Sequence, residues 1–229
     1  MPIAAEMTTT PVSPFTSPRE PSASVPPGAP PQPQTQPPPS KLVTLLCRWR
    51  VRVGFLLVVG VMTEGVLDKE APRDLLQPGW WLALAAPLIV AGAMIRLISL
   101  GTIRKNESLA CRGIYSRCRH PLYFGSLLLY TGLGIILNDQ FEYWYLGIPY
   151  IFIFYTAAVF NEERFLKGKF GAQFDEFKRS TPALLPIGRY QPGEFSWGRA
   201  MQKGGIKLIT SVVGMVLAMQ AMVIIFRKF

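Results

Sequence analysis

Two charged stretches of the chain hold the side chains able to do chemistry. One reads Gly113-Ile114-Tyr115-Ser116-Arg117-Cys118-Arg119-His120-Pro121-Leu122-Tyr123-Phe124-Gly125. The other begins Asn161-Glu162-Glu163-Arg164, passes Phe170-Gly171 and ends Pro182-Ala183-Leu184-Leu185-Pro186. Pro121 suits the first position of a helix, where a missing N–H has no partner to lose. A helix starting there turns its first N–H groups and its positive dipole end toward the residues before it. Arg119 and His120 add donors at the same place, so the first stretch is a candidate anion site. Tyr115 and Tyr123 bring aromatic faces and hydroxyls. Glu162 and Glu163 offer carboxylates to a cation. A blander reading stands beside this one: Arg119 and His120 as interfacial anchors, and the glutamates on a solvated amphipathic helix with Arg164 and Lys167. His120 is the only histidine, and Cys47, Cys111 and Cys118 form no CxxC, so no metal site is expected.

The elements that must position these residues are apolar. Of 229 residues, 49% are hydrophobic, and the net charge is +10. Residues 1–40 hold 13 of the 21 prolines; such a segment cannot bury enough apolar surface to offset its ordering entropy. It reads as a disordered, proline-rich tail, passive or a docking arm for a partner. The remainder, 41–229, reads as one membrane domain. Its apolar blocks are Val53–Leu67, extending back to Leu42 if its arginines snorkel, then Trp80–Leu100, Leu122–Leu137, Phe141–Phe160 and Ile206–Phe226. A helix of about 20 apolar residues spans a bilayer. The fold class expected is therefore all-α, a polytopic bundle of five transmembrane helices. Only Asn138, Asp139 and Gln140 separate the third and fourth blocks, which predicts a tight helical hairpin and brings the two charged stretches together.

Charge sets the orientation. Segment 101–119 carries Arg104, Lys105, Arg112, Arg117 and Arg119 against Glu107 alone, and segment 161–205 carries eight Lys and Arg. The opposite loops, 68–79 and around Asp139, are poor in Lys and Arg. The positive-inside rule then places the N-terminus and both charged stretches in the cytosol. This asymmetry accounts for most of the positive charge, so no nucleic-acid partner is needed. Arg96, inside the second block, has two readings: a side chain snorkelling to the interface, or a polar group facing a buried site.

A ligand with an anionic and a cationic part fits the two stretches. S-adenosylmethionine has a carboxylate, an ammonium, a sulfonium and an adenine. The same residues resemble a known superfamily. Gly113 and Tyr115 match its G-x-Y; Arg119, His120, Pro121, Tyr123 and Gly125 match R-H-P-x-Y-x-G; Glu162 and Glu163 match its double glutamate. Phe170, Gly171 and Phe174, then Pro182, Leu185 and Pro186, match its later elements. Over residues 100–190 the chain thus resembles the isoprenylcysteine carboxyl methyltransferase and phospholipid methyltransferase superfamily of integral membrane enzymes.

The resemblance implies an S-adenosylmethionine-dependent methyltransferase with its cofactor pocket on the cytosolic side. It implies cofactor-binding roles for Ser108, Leu109, Ala110, Tyr115, His120, Pro121, Leu122, Tyr123 and Glu162. Arg119 and Glu163 are the expected catalytic residues. Ala158 stands one turn before Glu162, where eukaryotic isoprenylcysteine enzymes carry a substrate-binding arginine, so the acceptor stays open: a carboxylate, a phospholipid amine, a thiol or a small molecule. A carboxylate or thiolate needs no general base; an amine must shed a proton, which a Glu can accept. Two further readings remain. Membrane sterol or steroid reductases that use NADPH share an R-H-P-N-Y-x-G-E element, but Leu122 and Ser126 replace its Asn and final Glu. The other is a non-enzymatic membrane protein with a docking tail. The last span, 206–226, has no counterpart in the matched motif.

Overall fold

The computed structural model describes residues 41–67, 72–77, 79–103, 108–137 and 141–227. The proline-rich tail 1–40 and the turn 138–140 lie outside the described residues. Among those described, the chain is all-α: α1 (Lys41–Leu67), α2 (Trp80–Thr102), a short α3 (Ile114–Arg117), α4 (Pro121–Ile136), α5 (Phe141–Phe170), α6 (Ala172–Ser180), a short α7 (Trp197–Ala200) and α8 (Ile206–Phe226). A π-helical segment, Met201–Gly205, joins α7 to α8.

Three stretches are long and apolar enough to cross a membrane: Trp80–Thr102, Tyr143–Phe170 and Trp197–Phe226. The protein is thus an integral membrane bundle. α4 is apolar but has 16 residues, about 24 Å of helix against a hydrocarbon core of about 30 Å. α1 has the length, 27 residues, but Arg48, Arg50 and Arg52 interrupt its apolar run. The helices begin and end close to the expected blocks, with one large exception. α5 continues ten residues past Phe160, so Glu162 and Glu163 sit on an unbroken helix. It stops at Gly171, which adopts φ +53°, a left-handed conformation that only glycine takes freely.

α2 and α4 are the most intimate pair in the fold. Ala85, Ile89, Gly92 and Arg96 recur on α2 at helical spacing, and Gly125, Leu129 and Gly132 answer on α4. A Cβ on Gly92 would lie 2.7 Å from the Gly125 carbonyl oxygen; one on Gly125 would lie 2.8 Å from that of Gly92. Small residues that let backbones touch are how membrane helices associate where burial adds little drive. α5 packs chiefly on α1, and its contact with α4 is sparse. The expected hairpin therefore brings the charged stretches together without closely pairing its own two helices.

The core lies at the end opposite those stretches. Val61 of α1, Trp81 and Ala85 of α2, Ile136 and Leu137 at the end of α4, Tyr143 of α5 and Met219 of α8 form one buried cluster. A polar clasp fixes α8 beside it. Gln220 donates from Nε2 to Asp74 Oδ1 (2.8 Å) and accepts from the Leu75 N–H (3.0 Å). Arg227 ion-pairs with Asp74.

Candidate functional site

The chain from 181 to 193 runs back along residues 113–120 and holds them from outside. Arg119 N–H donates to Pro182 O (2.9 Å), His120 N–H to Ala183 O (3.0 Å) and Gly188 N–H to Arg117 O (2.9 Å). Gly113 N–H donates to Gln191 O (2.8 Å), and Gln191 N–H to Ser116 Oγ (2.8 Å). The proline-flanked 182–186 segment thus fixes the backbone of Arg119 and His120. That gives Pro182 to Pro186 a physical task.

α4 starts at Pro121 with no side-chain cap, so its dipole end is left for other partners. His120, 3% exposed, stands before it between the two glutamates. Its Nδ1 is 3.6 Å from Glu162 Oε2 and its Nε2 is 3.2 Å from Glu163 Oε1. Arg119 pairs with Glu163 at 2.9 Å and donates to the carbonyls of Lys178 (2.7 Å) and Thr181 (3.1 Å). Lys178 of α6 reaches the other Glu163 oxygen at 2.7 Å. α6 is held in reach by Phe174 and Phe177, which are buried.

This network backs a cleft of about 290 Å³, at the small end of ligand sites. Tyr115, Arg119, His120, Pro121, Leu122, Tyr123 and Glu162, seven of the residues expected from sequence, border it together. Glu163 does not border it; it stands behind, engaged by Arg119, His120 and Lys178. Ser108, Leu109 and Ala110 border a different cleft, with Thr102, Arg112 and Glu194. The walls also include residues that the motifs did not flag. Tyr150 and Tyr155 come from α5, Leu100 from α2 and Ser126 from α4. Tyr155 lies seven residues before Glu162, two turns along one helix face, which was the available signal. Arg96 borders the cleft too, with Nη1 donating to Leu122 O (3.3 Å) and to Ser126 Oγ. Its head reaches across to α4, the direction that the buried-site reading of Arg96 expects.

Tyr115 is 7% exposed. Burial, then the charge of Glu162, pushes its hydroxyl well above the ordinary phenol value. It is therefore a neutral phenol, and a hydrogen-bonding contact with the Ser99 side chain pulls the other way without reversing the shift. Cys118 is fully buried, and burial pushes its thiol up to about 11. At neutral pH it is a thiol and not a nucleophilic thiolate. No group of three His, Cys, Asp or Glu among the described residues is placed to hold a metal.

What the geometry offers is a cleft whose lining brings together a helix N-terminus, an imidazole and, 3.6 Å from that imidazole, a carboxylate. Its deeper walls are aromatic. The family model described as phospholipid methyltransferase matches residues 79–173, the segment that builds most of this cleft. The chain is similar to the cobalt-zinc-cadmium resistance protein CzcN of Cupriavidus metallidurans, 32% identical over 160 residues, covering 65% of this chain and 67% of that protein. It is similar to the nickel-cobalt-cadmium resistance protein NccN of Alcaligenes xylosoxydans xylosoxydans, at 28% over 65% of this chain and 70% of that protein. Protein-S-isoprenylcysteine O-methyltransferase B of Arabidopsis thaliana is 26% identical over 125 residues, 49% of this chain and 63% of that enzyme. No solved structure matches. With seven of the expected residues at one cleft of an all-α membrane bundle, the chain belongs to the isoprenylcysteine carboxyl methyltransferase and phospholipid methyltransferase superfamily of integral membrane methyltransferases.

Proposed function

We propose that the cleft binds S-adenosylmethionine and that the protein transfers its methyl group to a lipophilic or small acceptor at the cytosolic face of a membrane. The observation that carries this reading is the gathering, at one cleft, of the α4 N-terminus, His120 and the Glu162 carboxylate, the last two 3.6 Å apart. The donor set fits a ligand bearing both a carboxylate and an ammonium. His120 and the first turn of α4 hold the carboxylate. Glu162, with its side chain 43% exposed at the rim, holds the ammonium. The Tyr115 hydroxyl, buried and neutral, borders the same cleft and offers a hydrogen-bond donor to the ligand. Tyr123 and Tyr155, with ring centroids 5.2 Å apart, give the adenine aromatic edges and faces.

When bound, the cofactor supplies an electrophilic methyl on a sulfonium. The chain's own part is alignment, which can be worth about 7–11 kcal/mol. Glu163 keeps Arg119, His120 and Lys178 in register, so its role is positioning rather than contact with the reacting atoms. Arg119 is then a rim donor held by Glu163. Ser108, Leu109 and Ala110 border the other cleft, so a cofactor role for them rests on the resemblance alone. The cytosolic placement and the N-in orientation rest on the positive-inside asymmetry of residues 101–119 and 161–205, and the five spans on the apolar blocks of the sequence.

The test is transfer of label from methyl-labelled S-adenosylmethionine into the organic-extractable fraction of membranes containing the chain. Label should accumulate with the native chain and fall at least tenfold with His120→Ala, while the variant still inserts. Equal label with and without the chain would overturn the reading.

A further inference from the structure

The segment from 182 to 197 has an outward face that holding residues 113–120 does not use. Both of its ends are tied to one level of the bundle. His120 N–H, at the start of α4, donates to Ala183 O (3.0 Å), and Ser196 N–H donates to Gly101 O (3.2 Å), at the end of α2. Gly101 leaves no room for a Cβ against the Phe195 ring, and Phe195 meets Trp197 edge-on, ring centroids 4.9 Å apart. Trp197 then opens the last apolar stretch, Trp197–Phe226. The end of one apolar helix and the starts of two others mark where the hydrocarbon of a bilayer gives way to headgroups. The segment lies along that boundary.

Its outward side chains are apolar. Ile187 is 76% exposed, and Leu185, Tyr190 and Trp197 are each more than half exposed. Ile187 N–H donates to Leu185 O (2.9 Å), so Leu185 and Ile187 flank the tip of a tight three-residue turn. The Arg117 guanidinium carbon stands 5.7 Å from the centroid of the Tyr190 ring, and Arg189, next in the chain, is exposed. A single exposed apolar residue needs no explanation, but a cluster of them on a connecting segment marks an interaction surface. Two features choose the occupant. The cluster is continuous, through Trp197, with a helix long and apolar enough to face lipid. Its Tyr and Trp with arginines alongside are the side chains that settle at headgroup level, rings in the apolar layer and charges at the phosphates.

We propose that residues 185–197 are an interfacial anchor, with Leu185, Ile187, Tyr190 and Trp197 inserted among phospholipid headgroups and Arg117 and Arg189 at their phosphates. The bilayer then supports the strap that fixes the backbone of Arg119 and His120, so lipid is a structural part of the site.

The experiment uses the full chain in phospholipid nanodiscs. Ile187→Cys, made together with Cys47→Ser and Cys111→Ser, is labelled with a nitrobenzoxadiazole fluorophore. Its emission should shift to the blue, fall about twofold or more with lipid carrying a nitroxide near the headgroup end of its acyl chain, and change little with aqueous iodide. The same label on Leu185→Cys should behave alike, and it carries the test if the first variant does not fold. In a second arm, hydrogen exchange of the Arg119, His120, Gly188 and Gln191 amides is followed in the native chain and in Ile187→Asp. Ile187 is too exposed to lose much packing within the protein, so a rise of roughly tenfold in exchange, with α2 unchanged, reports lost support from lipid. Emission quenched by iodide and untouched by the nitroxide lipid overturns the proposal, and gives this face to a protein partner in water. Unchanged exchange in Ile187→Asp overturns the supporting role of lipid. Neither readout involves S-adenosylmethionine, so the outcome is independent of the cofactor reading.

Discussion

Glu162 and Glu163 are adjacent in sequence and opposite in circumstance. Glu162 is 43% exposed at the side chain and borders the cleft; Glu163 is 14% exposed and meets Arg119, His120 and Lys178. Glu162→Ala should weaken S-adenosylmethionine binding about ten- to hundredfold, because a bound ammonium loses its partner, with little change in the melting temperature of the detergent-purified protein. Glu163→Ala should cost about 3–5 kcal/mol of stability by leaving a buried ion network uncompensated, read as a large drop in that melting temperature. Equal melting temperatures for the two variants would refute the division. The sequence showed a carboxylate pair opposite a cationic stretch; it did not show which carboxylate faced the ligand. Consecutive residues on a helix differ by about 100° in direction, and only the path of α5 past Arg119 decides that. In the sequence Cys118 showed only that it belongs to no CxxC pair. With no exposure and a thiol pushed up to about 11, it should resist N-ethylmaleimide at neutral pH while Cys47 and Cys111, both partly exposed, react. Labelling followed by mass mapping checks this.

At the scale of elements, the helix spans were legible because apolar blocks announce themselves: the second block starts at Trp80 as α2 does, and the last block coincides with α8. The partners of those helices were not. A short connector places the third and fourth blocks side by side in the chain, yet α4 packs on α2 and α5 on α1. Backbone approach through Gly92, Gly125 and Gly132 is what selects the α2–α4 pair, and single glycines in an apolar block carry no direction when read as sequence. Replacing Gly125 by Val drives a side chain against the Gly92 carbonyl and the stem of Arg96. Such overpacking costs about 1–3 kcal/mol, and it should also displace Arg96 from the cleft. A lower melting temperature of the detergent-purified variant checks this. The overrun of α5 to Phe170 was hidden for another reason. Asn161 through Lys169 are polar enough to end a hydrophobic block, yet the helix runs on through Gly168, and the break comes at Gly171.

Across the whole molecule, the cleft and the core occupy opposite ends, and α8 is tied at the core end. The sequence offered no role for that last span. Its clasp joins Gln220 and Arg227 to Asp74, residues separated by most of the chain. The hydrogen bond from Gln220, then that from the Leu76 N–H, with the charge of Arg227, holds the Asp74 carboxyl below its ordinary value. A carboxylate depressed in the folded state adds stability that is present at neutral pH and is lost as the pH falls through its folded value. Asp74→Asn should therefore lower the melting temperature at neutral pH and flatten its acid limb. S-adenosylmethionine binding should be unchanged, because the clasp is remote from the cleft. The central claim concerns the other end of the bundle, where Glu162 faces His120. The most direct measurement is equilibrium binding of S-adenosylmethionine to the purified full chain, with NADPH as the competing nucleotide and Glu162→Ala as the variant. The account predicts saturable binding of S-adenosylmethionine, none of NADPH, and binding largely lost in Glu162→Ala. Saturable binding that is untouched by Glu162→Ala, or binding of NADPH alone, would contradict it.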